Sequence, residues 1–201
     1  MNDGHIILNG SKKIMFSAPH AVEQTRDGKL KFAEKETGEI AMFLNKLGYP
    51  CIIKTENLGD DANFDLESNY KADLTEFINK NNILGVIDLH QLSPMRKQLI
   101  CLGTGGEECL NLLGNYNKEM RLLKYFSKFF NNVTVNNPFA AKGEGTISRY
   151  ISKNCKIPCV QVEINSKLFL DSLISIEEMA KILDDATCLM GDFCDEKNLI
   201  D

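Results

Sequence analysis

Apolar residues in this chain fall into short runs of strand length, separated by segments with helical spacing. Residues 5–8 and 13–18 flank Asn9-Gly10, a pair suited to a two-residue turn, so the opening is expected to be a β-hairpin. The second strand runs through Ile14 and Phe16 to Ala18 and passes straight into Pro19-His20. A polar loop over residues 23–31 follows. Residues 32–47 place Ile40, Phe43, Leu44 and Leu47 at helical spacing, with Gly48 as a stop. Residues 51–53 form a short buried strand, 60–69 a loop and 70–79 a helix with Leu74, Phe77 and Ile78 on one face.

The run at 83–90 is apolar until it ends on Asp88-Leu89-His90, the signature of a buried strand with a polar tip. Further strands are expected at 98–102, 133–135 and 158–164. Helices are expected at 117–130, 147–152 and from Ser175 to about residue 193, with a Gly- and Pro-containing loop at 136–146. Glu177 and Glu178 suit the N-terminus of the last helix. Strands and helices mostly alternate, which implies an α/β fold whose mixed sheet is covered on both faces. The short link from His90 to the strand at residue 98 implies some antiparallel pairing.

No repeat or linker divides the chain, so residues 1–201 read as a single domain with a tail fraying from about residue 195. A net charge of -5 argues against a nucleic-acid partner recruited by general electrostatics, and leaves an anionic small molecule open. No secretory signal is evident, and no segment approaches the ~20 apolar residues of a spanning helix. Seven cysteines are scattered without a CxxC pair. They suit reduced thiols in a cytoplasmic protein, not disulfides or a Cys-rich zinc site.

Of the three histidines, His20 and His90 stand at or just past the ends of predicted buried strands, where open α/β sheets form ligand sites. Neutral imidazole is a common zinc ligand, so the pair is a candidate metal site. Asp88 shares a strand face with His90 and could orient an imidazole, that of His20 rather than His90. A hydrolytic zinc needs a third ligand, and Glu23, Glu34, Glu36 and Glu39 are within reach in sequence. Spacing alone favours Glu23, through His20-x-x-Glu23. Glu36 and Glu39 suit solvent or capping.

Glu163, near the end of a buried strand, is an unusual charge in an apolar run. It is the candidate base for a water proton, with Gln161 on the same face as a substrate contact. Arginine numbers only four. Arg26 follows His20, Arg96 follows His90 and Arg149 precedes the Glu163 strand. All three suit a substrate carboxylate or a developing oxyanion, Arg96 foremost. Arg121 looks like surface. The stretches GTGGEE and GEGTISRY lack the spacing of nucleotide loops, no GxSxG elbow is present, and Cys155 and Cys159 have no nearby histidine.

Several stretches, in this order, resemble the N-formylglutamate amidohydrolase-like family. They are Ser17-Ala18-Pro19-His20-Ala21-Val22-Glu23-Gln24, Arg26-Asp27-Gly28-Lys29, Ala33-Glu34 with Thr37, Asn69-Tyr70-Lys71, Asp88-Leu89-His90 and Gln161-Val162-Glu163-Ile164-Asn165. That family is similar to the zinc carboxypeptidase-like hydrolases, with poly-γ-glutamate hydrolase and aspartoacylase among them. The resemblance implies a three-layer α/β/α sandwich and one zinc held by two histidines and an acidic residue, with a glutamate base. His20 and His90 match the histidines and Glu163 the base. The acidic ligand of relatives comes at the following helix, which shifts the assignment from Glu23 to Glu34. This chain has Pro-His-Ala-Val where formylglutamate hydrolases tend to read Pro-His-Ser-Gly, so the reaction class carries over better than the substrate.

The expectation is a zinc-dependent hydrolase of an amide bond in a small acidic substrate. The rivals are a zinc carboxypeptidase-type peptidase acting on γ-glutamyl or cell-wall peptides, and a carboxylate-binding protein without turnover. Nothing in the sequence speaks to oligomeric state.

Overall fold

A computed structural model describes residues 3–191 of the chain. Seven strands form one mixed sheet in the order β1 (His5–Leu8), β5 (Cys51–Lys54), β2 (Ile14–Ala18), β6 (Gly85–Leu92), β9 (Cys159–Asn165), β7 (Ile100–Gly103), β8 (Val133–Val135). The four central strands β5, β2, β6 and β9 run parallel. β1 is antiparallel to β5, and β7 is antiparallel to β9.

Helices cover both faces. α1 (Lys35–Lys46), α3 (Tyr116–Phe126) and α6 (Ile176–Ala186) pack on one side through Ile40, Leu44, Leu122, Phe126, Met179 and Leu183. α2 (Asn69–Asn81) and α4 (Ile147–Cys155) cover the other through Tyr70, Leu74, Ile78, Ile147 and Ile151. This is the three-layer α/β/α sandwich expected. Among the described residues no helix is long and apolar enough to cross a membrane. The six cysteines described are free thiols.

Two expectations are corrected. β1 and β2 do not form a hairpin, because β5 lies between them and pairs with both. Every residue of β5 is buried in this inner position, whereas β1, at the edge, is only partly covered. Gly10 packs so tightly on the Tyr49-Pro50 backbone that a Cβ there would lie 2.3 Å from the Pro50 nitrogen. The expected loop at 23–31 instead contains a small hairpin, β3 (Gln24–Arg26) and β4 (Lys29–Lys31). Asp27 and Gly28 both have positive φ at its turn, the geometry that an Asp-Gly pair favours. A short helix, α5 (Lys167–Leu170), also went unforeseen. The end of the last predicted helix and the fraying tail fall outside the described residues.

Alternation along the central strands positions the site. On β2, β6 and β9, Phe16, Ala18, Ile87, Leu89, Val160 and Val162 face α1, α3 and α6. The opposite parity begins apolar, with Met15, Val86 and Cys159 against α2 and α4. It turns polar toward the carboxyl ends, at Ser17, Asp88, His90, Gln161 and Glu163, and all five remain buried.

Candidate metal centre

Three side chains converge where β2 and β6 end. His20 sits two residues beyond β2, and His90 is on β6. Glu34 is the residue that caps α1, held beneath the strand end by its own N–H donating to the His20 carbonyl at 2.8 Å. Its carboxylate does not cap the helix. It lies between the two imidazoles, with Oε1 3.1 Å from His20 Nδ1 and Oε2 3.3 Å from His90 Nδ1. The Gln91 N–H also donates to Oε2, at 3.0 Å. The ring centroids of His20 and His90 are 4.7 Å apart.

Each imidazole has a carboxylate behind it. His20 Nε2 donates to Asp61 at 2.8 Å, and His90 Nε2 donates to Asp88 at 3.1 Å. Both aspartates are fully buried. Asp61 is fixed in turn by Arg26, whose Nε and Nη2 reach Oδ2 at 2.8 and 2.7 Å, and by the Asn63 N–H at 3.0 Å. Holding a proton on Nε2 makes Nδ1 the lone-pair nitrogen of a neutral imidazole.

Two lone pairs and a carboxylate aimed at one point repel unless a cation lies among them. One ligand atom from each of His20, Glu34 and His90 lies within 4.8 Å of the others, so the donor set fits a single ion. Two nitrogens and one oxygen suit zinc. In the absence of a metal, protons take this place. Burial opposes charge on His20, but the charge of Glu34 and the bond to Asp61 outweigh it and raise its pKa. His90 is raised further, by Asp88 and Glu34 against the same burial penalty. Burial would raise Glu34, but His20 and His90 bring it down to about 2. Asp61 is held well below the usual carboxylate range by His20 and Arg26, against its own burial.

Glu163 stands beside this cluster, since β9 pairs with β6 in a register that sets it opposite His90. Gln161 Nε2 donates to its Oε1 at 2.7 Å. Burial pushes the Glu163 carboxyl up to about 7, with Glu34 adding to the rise and His90 opposing it.

The cluster opens into a cavity of about 490 Å³ lined by His20, Glu34, His90, Gln161 and Glu163 on the sheet side. Arg26, Asn63 and Phe64 form one wall, and residues 138–143 with Thr146 form the other.

His20, Glu34, His90, Glu163, Gln161 and Arg26, all anticipated from sequence, are therefore brought together. Glu23 is exposed and outside the cluster. Arg96 and Arg149 are not brought into the cavity lining. Arg96 is exposed, with its guanidinium 5.7 Å from the ring of Phe139, and Arg149 faces Glu144 at 3.9 Å. Asp88 serves His90, on its own strand, and not His20. The partner of His20, Asp61, was missed, as was the wall at 138–143. Asp61 sits in an irregular loop without a motif, and only the fold carries it to His20.

No protein-family model and no curated protein matches the sequence. Solved structures do match. A gene product of Agrobacterium tumefaciens superposes with a TM-score of 0.65 at 14% identity, over 94% of this chain and 92% of that one. A zinc-free apo form of a protein named YndL gives 0.59 at 15% identity, over 92% and 88%. A bacteriophage poly-γ-glutamate hydrolase gives 0.55 at 11% identity, over 94% and 90%. At such identities the likeness is one of fold.

Two predictions follow from the charges. In the metal-free protein, a Glu163 carboxyl near pH 7 against 4.5 when unfolded costs about 3 kcal/mol of stability above pH 7, and nothing below 4.5. Glu163→Gln is therefore expected to raise stability at pH 8 by up to about 3 kcal/mol and to leave it unchanged at pH 4.5, measured by urea unfolding with chelator present. Asp61→Asn is expected to weaken zinc affinity by about 10- to 100-fold in a competition titration with a chromophoric chelator.

Proposed function

We propose that this protein is a metal-dependent amidohydrolase acting on a small acidic amide, of the N-formylglutamate amidohydrolase-like kind. The observation that carries the reading is the convergence of His20, Glu34 and His90 through Nδ1 and carboxylate atoms, beside a buried glutamate whose carboxyl is poised near neutrality. His20 and His90 would hold the ion with Glu34. Asp61 and Asp88 would fix both rings and strengthen them as donors. A zinc ion there would supply Lewis acidity to the water and the amide carbonyl.

The protein's own groups account for the rest. Glu163 takes the proton of the attacking water as the new carbon–oxygen bond forms. It returns that proton to the nitrogen as the carbon–nitrogen bond breaks, giving a carboxylic acid and an amine. Burial holds the Glu163 carboxyl above its ordinary range, which suits it to take up a proton and give it back. Gln161 holds Glu163 in place and lies in the cavity lining as a substrate contact. Arg26 steadies Asp61 while its guanidinium borders the cavity, over the ring of Phe64 at 4.9 Å.

The position of Glu163 favours an enzyme over a carboxylate-binding protein, because a buried ionisable carboxyl without a partner cation is costly in a site that only binds. Substrate profiling with N-acyl amino acids and short γ-glutamyl peptides separates the amidohydrolase from the peptidase reading.

Purified protein is expected to take up one zinc per chain by elemental analysis. Glu163→Gln should retain that zinc while losing at least a hundredfold in kcat, with little change in KM. No stoichiometric uptake after reconstitution would sink the proposal, as would full turnover in Glu163→Gln.

A further inference from the structure

The cavity lining contains two cations, Arg26 and Lys142, and they differ in what they are free to do. Arg26 is engaged, with two of its nitrogens on Asp61 Oδ2. Lys142 makes no hydrogen bond or ion pair with any described residue. Glu34 is committed to the two imidazoles and Glu163 to Gln161, so neither lining carboxylate is bonded to Lys142.

The backbone carrying Lys142 is fixed while its head is free. The Ala140 carbonyl accepts from Gly105 N at 2.8 Å, and the Ala141 carbonyl accepts from Asn111 Nδ2 at 2.7 Å and Thr146 Oγ1 at 3.0 Å. Gly103 permits this close docking, since a Cβ there would lie 2.9 Å from Ala141 Cβ and 3.1 Å from Gln161 Cβ.

A second observation points to a ligand in the same cavity. Gln161 is 3% exposed, its amino group is committed to Glu163, and its Oε1 is buried without a hydrogen-bond partner. Such an oxygen calls for a donor, and its side chain borders the cavity. Asn63 is oriented in the same sense, because its Oδ1 accepts from Ile147 N at 2.7 Å, leaving its amino group as a donor at the cavity wall.

We infer that Lys142 is the specificity-determining anchor for the substrate's carboxylate, in a site that reads a secondary amide at Gln161 and an anion at the 138–143 wall. This assigns the anion contact to a lysine on a pinned loop, in place of Arg96 and Arg149. It rests on the hydrolase reading for what the site is used for, but it can be tested by binding alone.

The test is calorimetry with two probes, glutarate and butyrate, on wild type, Lys142→Met and Lys142→Arg, each with and without zinc. Butyrate offers one carboxylate and glutarate two. Glutarate is expected to bind zinc-loaded wild type about tenfold or more tighter than butyrate. That margin should fall below about threefold in Lys142→Met and persist in Lys142→Arg. An equal margin in Lys142→Met, or none in wild type, would overturn the inference. Failure of the hydrolase reading shows separately, as absent zinc uptake or absent amide turnover with the Lys142-dependent margin intact.

Discussion

One carboxylate shared by two imidazoles is the constraint on which the rest of the site depends. Glu34 occupies the N-cap of α1, a position whose side chain ordinarily satisfies the helix's own N–H groups. Here it bonds instead to His20, His90 and the Gln91 N–H. The first turn of α1 is left to Thr37, whose N–H and hydroxyl both donate to the Glu34 carbonyl. Forgoing a side-chain cap makes sense where the carboxylate serves a stronger charge, and the N-terminal end of a helix favours that negative group in any case. Pinning Glu34 N to the His20 carbonyl couples the helix start to the strand end, so fold and ligand geometry are set together.

The sheet does the remaining positioning through parity. The face that packs on α2 and α4 is apolar in its first half and polar in its second, and the polar half stays buried. Buried charge there is tolerated only in a closed network. His20 has Asp61, Asp61 has Arg26, His90 has Asp88, and Glu163 has Gln161. Glu163 alone lacks a cationic partner, and its carboxyl is accordingly the one raised toward neutrality. A group that destabilises the folded chain at working pH is the expected mark of a site selected for chemistry over stability.

Much of this was legible in the sequence. Apolar runs ending in Pro19-His20, Asp88-Leu89-His90 and Glu163-Ile164-Asn165 marked three strand ends and the residues carried there. The family resemblance, not the spacing, separated Glu34 from Glu23, and the structure gathers Glu34, and not Glu23, with the two histidines. Pairing partners were less legible. Asn9-Gly10 looked like a hairpin turn, yet burial of β5 decided the order of strands. Asp61, Asn63 and Lys142 carry no local pattern, since irregular loops bring them in from distant parts of the chain. Arg96 and Arg149 lie outside the cavity lining; a residue type suited to carboxylates shows no more than where an anion could be held.

The central claim is that His20, Glu34 and His90 hold one dication through the Nδ1 atoms and a Glu34 oxygen. Anomalous diffraction at the zinc absorption edge, from crystals of the zinc-loaded protein, tests it most directly. The account predicts one strong peak, with both Nδ1 atoms at ~2.0–2.1 Å and a Glu34 oxygen at ~2.0–2.2 Å. A zinc-loaded crystal with no peak between these residues, or with the ion on Nε2 or on Glu23, would contradict it.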